Sequence, residues 1–137
     1  MKINPAWDLQ SALWRKLTQD PGLLAVLGAP RLYDDVPQTA PFPFVTLGDI
    51  RTNDWSTQTQ KGHEHILTLH AWSRAKGRKQ VQAILQALEA ALDDAALALT
   101  AHRLITLRLV FWDARREPDG ETYHGLMRFR AVTEPSA

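Results

Sequence analysis

Hydrophobic residues near the start of the chain recur at helical spacing and predict two helices. One face of the first is marked by leucines one turn apart, Leu9, Leu13 and Leu17. This spacing indicates a helix over about residues 5–18. Asn4 precedes a proline, which is typical of an N-cap followed by proline at the first helical position. Asp20 and Pro21 repeat this pattern, so a shorter helix is expected over residues 21–27, ending at Gly28.

The clearest helical pattern lies in the second half of the chain. Its apolar residues follow i, i+3, i+4, i+7 spacing at Val81, Ile84, Leu85, Leu88, Ala91 and Leu92. Polar residues occupy the other side, so we expect this helix to pack across one face of a sheet.

Four segments alternate between apolar and polar residues and predict β-strands. They cover about residues 44–50, 64–73, 103–113 and 122–133. In the second strand the better core face is formed by His65, Leu67, Leu69 and Ala71. In the third strand one face is shared by Ile105, Leu107, Leu109 and Phe111.

The connections between these strands differ in character. Residues 29–43 contain four prolines and no period, and residues 31–33 suggest a short extended piece. A polar loop of eleven residues, 51–61, joins the first two strands. The last two strands are expected to form a hairpin through a charged loop over residues 115–121, which contains the turn sequence Pro-Asp-Gly.

The order of elements is therefore ααββαββ, which favours the α+β class. We expect a four-stranded, mainly antiparallel sheet with one long helix packed on a face and with N-terminal helices beside it. The chain has 137 residues and a mass of 15.4 kDa, so residues 1–137 are expected to form a single domain.

Composition excludes several classes of function. The chain has no cysteine, which excludes disulfides, thiolate zinc sites and cysteine nucleophiles. The formal net charge of +1 gives no overall attraction to nucleic acid. Neither a signal-peptide pattern nor an apolar run of about 20 residues occurs, so we expect a cytoplasmic protein without a membrane partner.

Histidines around the start of the second strand are the candidate metal ligands. His63 and His65 point to the same side of a strand, whereas Glu64 and His70 have the opposite parity. Asp49 completes a site only if the strand register allows it. Because the helical His-Glu-x-x-His pattern is absent, a metal-dependent enzyme is the less favoured alternative. We assign no metal, cofactor or catalytic residue.

Basic residues are the candidate binding groups. Four of them, Arg74, Lys76, Arg78 and Lys79, lie close together before the long helix. Arg128 and Arg130 share one face of the last strand, and Arg108 is expected across the hairpin. These cations indicate either a solvated turn or a surface for phosphates or an acidic partner. A nucleic-acid-binding module therefore remains an alternative function.

Aromatic residues add a second indication of a binding surface. For most of the tryptophans the core is the expected location, but Trp55 lies in the polar loop with no core to join. Tryptophan and arginine are enriched at the energetic centres of interfaces. The candidate partner-contact residues are Asp54, Trp55, Lys61, Arg74, Lys76, Arg115, Arg116, Arg128 and Arg130.

The order and spacing of several short sequences carry a family resemblance. They are Pro43-Phe44-Val45-Thr46-Leu47-Gly48, Gly62-His63-Glu64-His65, Leu69-His70-Ala71-Trp72-Ser73-Arg74, His102-Arg103-Leu104-Ile105 and Gly125-Leu126-Met127-Arg128-Phe129-Arg130. With the long helix between them, the chain resembles the tail completion, or tail terminator, proteins of long-tailed phages and gene transfer agents. The resemblance extends from about residue 4 to residue 134.

The resemblance implies a structural virion protein and no enzyme. Such proteins form rings, commonly hexameric, that cap the head-proximal end of the tail tube, although the free protein can be monomeric. Their partners are other copies, the major tail tube protein and the head connector or stopper protein, and DNA passes through the ring. The implied location is the tail–head junction of the virion or gene transfer agent particle, after assembly in the bacterial cytoplasm.

Overall fold

Residues 3–136, which the computed structural model describes, form three helices and five strands. In chain order they are α1 (Pro5–Thr18), α2 (Pro21–Leu27), β1 (Leu32–Tyr33), β2 (Phe44–Asp54), β3 (His63–Ser73), α3 (Lys79–Leu92), β4 (His102–Arg116) and β5 (Tyr123–Pro135). The expected α+β class is confirmed, but the expectation of one long helix is not, because α1 and α3 each have 14 residues.

The two N-terminal helices have the bounds that the sequence predicts, because their capping residues act as expected. Asn4 Oδ1 accepts a 2.8 Å hydrogen bond from the amide of Ala6, and Asp20 Oδ2 accepts one of 3.0 Å from the amide of Leu23. Gly28 ends α2 with a φ of 80°, a conformation that favours glycine. No helix within residues 3–136 has the length and apolar character to cross a bilayer.

The strands form one mixed sheet in the order β1-β2-β3-β5-β4. β1 runs parallel to β2, with Leu32 opposite Val45, and the other neighbouring strands are antiparallel. The prediction of a four-stranded sheet is therefore wrong, because β1 adds a fifth strand. A two-residue strand is too short to show an alternating pattern, and its place depends on pairing with a distant segment.

Part of the predicted polar loop is strand. Residues 51–54 continue β2 opposite residues 63–66 of β3, so the loop spans residues 55–62. Polar pairs join the two strands here: Thr52 Oγ1 lies 2.9 Å from His65 Nδ1, and Asn53 Nδ2 donates to Glu64 Oε1 at 3.4 Å. Since these pairs replace apolar contacts, the strand has no apolar alternation to reveal it.

The β4–β5 hairpin is longer than predicted. β4 extends to Arg116 and β5 begins at Tyr123, which leaves residues 117–122 as the turn. Arg115 and Arg116, predicted in the loop, therefore lie in β4 opposite residues of β5.

Two bulges change which way the side chains of β4 point. The register shifts between Leu104 and Thr106 and again between Leu109 and Phe111. Each shift adds one residue to β4 and reverses the alternation. Leu107 is buried, but Ile105 and Phe111 are exposed. The shared apolar face predicted for this strand is therefore wrong at these two positions.

The core lies between the helices and one face of the sheet. Leucines of α1 and α3 pack with apolar residues of the three central strands, including Leu67, Leu69 and Phe129. Gly125 of β5 allows a close approach, because an added Cβ would lie 2.9 Å from Leu85 Cδ1 of α3. No helix of the described residues covers the opposite face, whose side chains are mostly half-buried or exposed.

Candidate partner-contact surface

The uncovered side of the sheet, which we call the open face, is built from every second residue of the central strands. It includes Arg51, Asn53, Glu64, Ile66, Thr68, His70, Trp72, His124, Leu126, Arg128 and Arg130, together with Phe111, Asp113 and Arg115 of β4. Arginine and aromatic side chains are frequent here, and both are enriched at protein interfaces.

Arg130 is held in place from two sides. Its Nε donates to Glu64 Oε2 at 2.6 Å, and its guanidinium lies 5.1 Å from the ring centre of Trp55. The hydrogen bond from Arg130 is the main reason that the pKa of Glu64 is lowered. The structure thus joins Trp55 and Arg130, two of the residues that the sequence analysis selected separately.

Arg128 precedes Arg130 on the same face of β5 and forms a similar arrangement. Its Nε lies 3.4 Å from Thr68 Oγ1, and its guanidinium lies 5.2 Å from the ring centre of Phe111. An open cavity of about 370 Å³ beside it is lined by Asp49, Arg51, Asn53, Ile66, Thr68 and Arg128. Ordered arginines of this kind bind a partner with less loss of side-chain entropy.

A chain of ring contacts runs along the open face near the β4–β5 hairpin. His124 Nδ1 donates to Glu117 Oε1 at 2.8 Å, and His124 Nε2 lies 2.7 Å from His70 Nδ1. The His124 ring is stacked on Trp72, with centroids 4.0 Å apart and planes within 4°. Burial, and next the charge of His124, lowers the pKa of His70. These contacts fix the ring positions before any partner binds.

The two exposed loops lie at opposite ends of the sheet. The β2–β3 loop is ordered by Asp54, whose Oδ1 accepts hydrogen bonds from Ser56 Oγ at 2.6 Å and from the amide of Ser56 at 3.1 Å. The same bonds lower the pKa of Asp54. Trp55, 53% exposed, and the exposed Lys61 flank this turn.

At the other end, the β4–β5 turn is also held by its own side chains. Asp119 accepts hydrogen bonds from the amides of Glu121 and Thr122 and from the Thr122 hydroxyl. The bonds from Thr122 and the amide of Glu121 lower the pKa of Asp119 to about 2. Arg116 Nη2 donates to the Gly120 carbonyl at 2.8 Å.

The basic turn before α3 does not present one continuous cationic patch. Arg74 donates to Thr122 Oγ1 at 3.2 Å and lies 4.3 Å from the ring centre of Phe42. Arg78 lies 5.6 Å from the ring centre of Tyr123, and Lys76 is exposed. Arg74 and Arg78 thus contact other parts of the fold. Fewer cations are left to bind a polyanion than the sequence suggested.

The nine predicted contact residues therefore fall into three groups. Asp54, Trp55 and Lys61 lie at the β2–β3 end of the sheet, whereas Arg74, Lys76 and Arg116 lie at the β4–β5 end. The open face carries Arg115, Arg128 and Arg130. Among these nine residues, the side chains of Trp55 and Arg130 meet although they belong to two different groups.

Of the two histidines near the start of β3, His65 has partners on both ring nitrogens, whereas the buried Nδ1 of His63 has no hydrogen-bond partner within residues 3–136. His65 is fully buried, with Nε2 2.8 Å from Thr133 Oγ1 and Nδ1 bonded to Thr52. Asp49 lies on the open face beside Arg51, so the register does not bring it to His65. Across residues 3–136 no group of three or more histidine and carboxylate side chains is placed to hold a metal.

Sequence analysis missed the exposure of three tryptophans. Trp7 and Trp14 lie on the outer side of α1, 59% and 38% exposed, and Trp112 of β4 is 43% exposed. Trp7 and Trp14 stand seven residues apart on one helix stripe, which is the signal that could have revealed a second apolar face.

Comparison with known proteins identifies the family. The model of the family described as tail completion protein gp17 matches residues 11–134. A chain in the structure described as the virion of a native gene transfer agent (GTA) particle is 30% identical, with a TM-score of 0.87, and the match covers 97% of this chain and 99% of that one.

A second structure shares the fold. It is the gp17 protein of bacteriophage SPP1, with 20% identity, a TM-score of 0.60, and coverage of 92% of this chain and 88% of that one. No curated protein sequence matches the chain. Because the family model spans nearly the whole sequence, the chain belongs to the tail completion protein gp17 family, as its resemblance predicted.

Proposed function

We propose that the protein caps the head-proximal end of a tail tube and joins the tail to the head connector. Membership of a tail completion family places its role in the structure of the particle. The similarity to a chain of a gene transfer agent virion supports the same location. In this role the protein, working as a single domain, is a structural part and catalyses no reaction.

The observation that carries this proposal is the position of the two ordered loops. A protein that joins two neighbours needs two separate contact regions. The β2–β3 loop and the β4–β5 turn lie at opposite ends of a sheet whose eleven-residue β3 is roughly 35 Å long. Each turn is stiffened by an aspartate that bonds its own loop. Stiff turns lose little entropy when a partner binds.

We assign the contact residues accordingly. Asp54, Trp55 and Lys61 contact one axial neighbour, and Arg74, Lys76 and Arg116 contact the other; these neighbours are the major tail tube protein and the connector or stopper protein. On the open face, Arg115, Arg128 and Arg130 contact adjoining virion proteins. The Trp55–Arg130 pair supports this assignment, since both residue types form interface hot spots.

The cap is a homo-oligomeric ring, hexameric in the assembled particle, through which DNA passes. A ring requires that one patch of each copy meets a different patch of the next. The near-neutral net charge of +1 suits a conduit, because a strongly basic channel would retain DNA by phosphate contacts. The ring forms on the tail tube, and the free protein can be monomeric.

Electron microscopy of particles made without this protein tests the proposal. We expect tails of uncontrolled length, or tails that are not attached to heads. Supplying the wild-type gene in trans restores joined particles and excludes an effect on neighbouring genes. Tails of normal length that are normally attached to heads in the absence of the protein would contradict the proposal.

A further inference from the structure

The sheet has two edges, and each is paired or covered over only part of its length. At one edge, β1 pairs with β2 only as far as Thr46. At the other edge, the amide of Leu109 in β4 donates to the carboxylate of Asp93. Within residues 3–136 no backbone hydrogen bond reaches the outer side of residues 48–54 of β2 or of residues 110–116 of β4. These two free edges have equal length, and an unpaired edge is a template for another strand.

The free backbone groups of the two edges match each other. The amide of Trp55 donates toward β3, so the amide and carbonyl of Thr52 point away from β3, because the direction alternates along an antiparallel strand. The amide of Glu117 donates toward β5, so those of Trp112 point away from β5. The side chains of Thr52 and Trp112 both lie on the side of the sheet that carries the helices. Paired edges would therefore keep the two faces of the sheet continuous.

The direction of the strands also permits this pairing. β2 and β5 run in one direction, whereas β3 and β4 run in the other. When β4 of one copy lies beside β2 of a second copy in the same orientation, the two strands are antiparallel. A second copy thus supplies a strand that continues the antiparallel order of the sheet.

Charges on the open face select one register for this pairing. Arg51 of β2 and Asp113 of β4 are exposed, and neither forms an ion pair within residues 3–136. When Arg51 lies opposite Asp113, Asp49 lies opposite Arg115. Arg115 also lies 3.7 Å from Glu117, but its side chain is 67% exposed, and such surface pairs are weak. A shift of two residues brings like charges together, Asp49 with Asp113 in one direction and Arg51 with Arg115 in the other.

The same register gives a stagger that suits a closed ring. Within one copy, Arg51 lies opposite Ile66 of β3, whereas Asp113 lies opposite Leu126 of β5, which lies opposite His70 of β3. Ile66 and His70 are four residues apart, so each copy is displaced by four residues along the strands, and it contributes four long strands. One residue of shear per strand is the ratio of the TIM barrel, whose strands tilt by about 36°. That tilt is within the range of roughly 35–45° for closed barrels.

We propose that the free edge of β2 in one copy, residues 48–54, pairs with the free edge of β4 in the next copy, residues 110–116, with Arg51 opposite Asp113. This inference rests on the proposed ring and names the contact that builds it. One edge of each copy meets the other edge of the next, which is a heterologous contact that can close into a ring. Main-chain hydrogen bonds hold the copies together, and the charge pairs fix the register.

Disulfide trapping in particles tests this register, since the chain has no cysteine of its own. A double variant, the edge variant, carries Asn53→Cys and Phe111→Cys, positions that face each other when Arg51 lies opposite Asp113. They form a non-hydrogen-bonded pair, whose Cα atoms are about 4.5 Å apart, a distance that a disulfide can span. In the control variant Gln58→Cys, on the exposed β2–β3 loop, replaces Asn53→Cys. Particles assembled with each variant in place of the wild-type chain are oxidised and run on a non-reducing gel.

We expect a ladder of covalent oligomers from the edge variant and monomer from each single-cysteine variant. The cross-linked fraction should exceed that of the control roughly tenfold or more, because paired strands raise the effective concentration of the two thiols. Edge-variant protein present in joined particles, with no more cross-linking than the control, would overturn the inference and leave the proposed function intact.

The failure of the proposed function gives a different result. Absence of the wild-type protein from normally joined particles would contradict that function instead. The purified edge variant, oxidised at high concentration beside the control variant, then decides the inference, and it does so too if particles do not assemble with the edge variant. Cross-linking no greater than that of the control would overturn it.

Discussion

Asp8 of α1 accepts a 2.8 Å hydrogen bond from Nδ1 of His102 at the start of β4. The same carboxylate accepts 2.8 Å bonds from the amides of Thr100 and Ala101. Burial opposes ionisation of Asp8, but the bond from His102 and the two amide bonds outweigh it and lower the pKa of the carboxyl. One nearly inaccessible side chain thus fixes α1 against the segment that leads into β4.

Replacement of Asp8 should therefore destabilise the fold strongly. Asp8→Ala leaves two amides and an imidazole nitrogen without their acceptor, and we expect a loss of about 3 kcal/mol in the free energy of unfolding. Urea denaturation measures it. Asp35→Ala, at an exposed aspartate, is the matched control and should change stability by less than about 0.5 kcal/mol. Equal effects of the two substitutions would show that the Asp8 bonds are not needed.

The buried His65 makes stability depend on pH. Burial, followed by the charges of His63 and His102, lowers the pKa of His65 from 6.5 to about 4. Between these values the unfolded chain binds the proton and the folded chain does not, so stability is full above about pH 6.5 and falls as the pH decreases toward 4. The difference corresponds to about 3 kcal/mol.

Unfolding free energies measured in urea from pH 7 to pH 4 test this expectation. The pKa of His70 is also lowered by burial, so His70 adds a further loss of stability as the pH falls. In a His65→Gln variant the free energy of unfolding should change much less with pH over this range, whatever its value at pH 7. A wild-type stability that stays constant down to pH 4.5 would refute the assignment of a neutral, buried His65.

The helices and the class of the fold could be predicted because their signals are local. The caps at Asn4 and Asp20, the glycine at Gly28 and the leucine periodicity all lie within the segments they define. The strand β1 could not be predicted in the same way, since two residues carry no period and its pairing with Val45 is a tertiary contact.

The contact surface was predicted only in part, because bulges and uncovered faces are not local properties. Arg128 and Arg130 were correctly placed together by strand parity. Val110 is bulged, so the parity rule failed after it and hid the exposure of Phe111. The spacing of Trp7 and Trp14 fits a buried helix face as well as an exposed one. Only the packing of α1 in the folded protein shows that they are exposed.

The contact between Gly125 and Leu85 should be sensitive to one added methyl group. A Cβ at Gly125 would lie 2.9–3.0 Å from Cγ, Cδ1 and Cδ2 of Leu85, so α3 must shift or the leucine must change rotamer. We expect Gly125→Ala to cost about 1–3 kcal/mol. Leu85→Ala alone should cost about 2–5 kcal/mol through the cavity it leaves.

A double-mutant cycle checks this prediction. The Gly125→Ala, Leu85→Ala double variant should lose at least about 1 kcal/mol less than the sum of the two single variants, because the smaller side chain at position 85 accommodates the new methyl group. Strict additivity of the two losses in denaturant unfolding would mean that the two residues do not compete for the same space.

Trp55 should matter for particle assembly far more than for folding. It is 53% exposed and stacks over Arg130, so Trp55→Ala should change the free energy of unfolding by no more than about 1 kcal/mol. If the β2–β3 loop contacts an axial neighbour, loss of a buried interface tryptophan should cost about 2 kcal/mol or more per contact. Because the loss is repeated in every subunit of a ring, the fraction of tails joined to heads should fall sharply in electron micrographs.

Gln58→Ala is the control for Trp55→Ala, since Gln58 is exposed in the same loop but has no large apolar surface. It should leave the joined fraction unchanged. Both variants are compared at equal expression and after a check that their unfolding transitions remain cooperative. An unchanged joined fraction in the Trp55→Ala particles would remove the β2–β3 loop from the contact surface and leave the opposite end of the sheet, with Arg74 and Arg116, as the remaining candidate for axial contact.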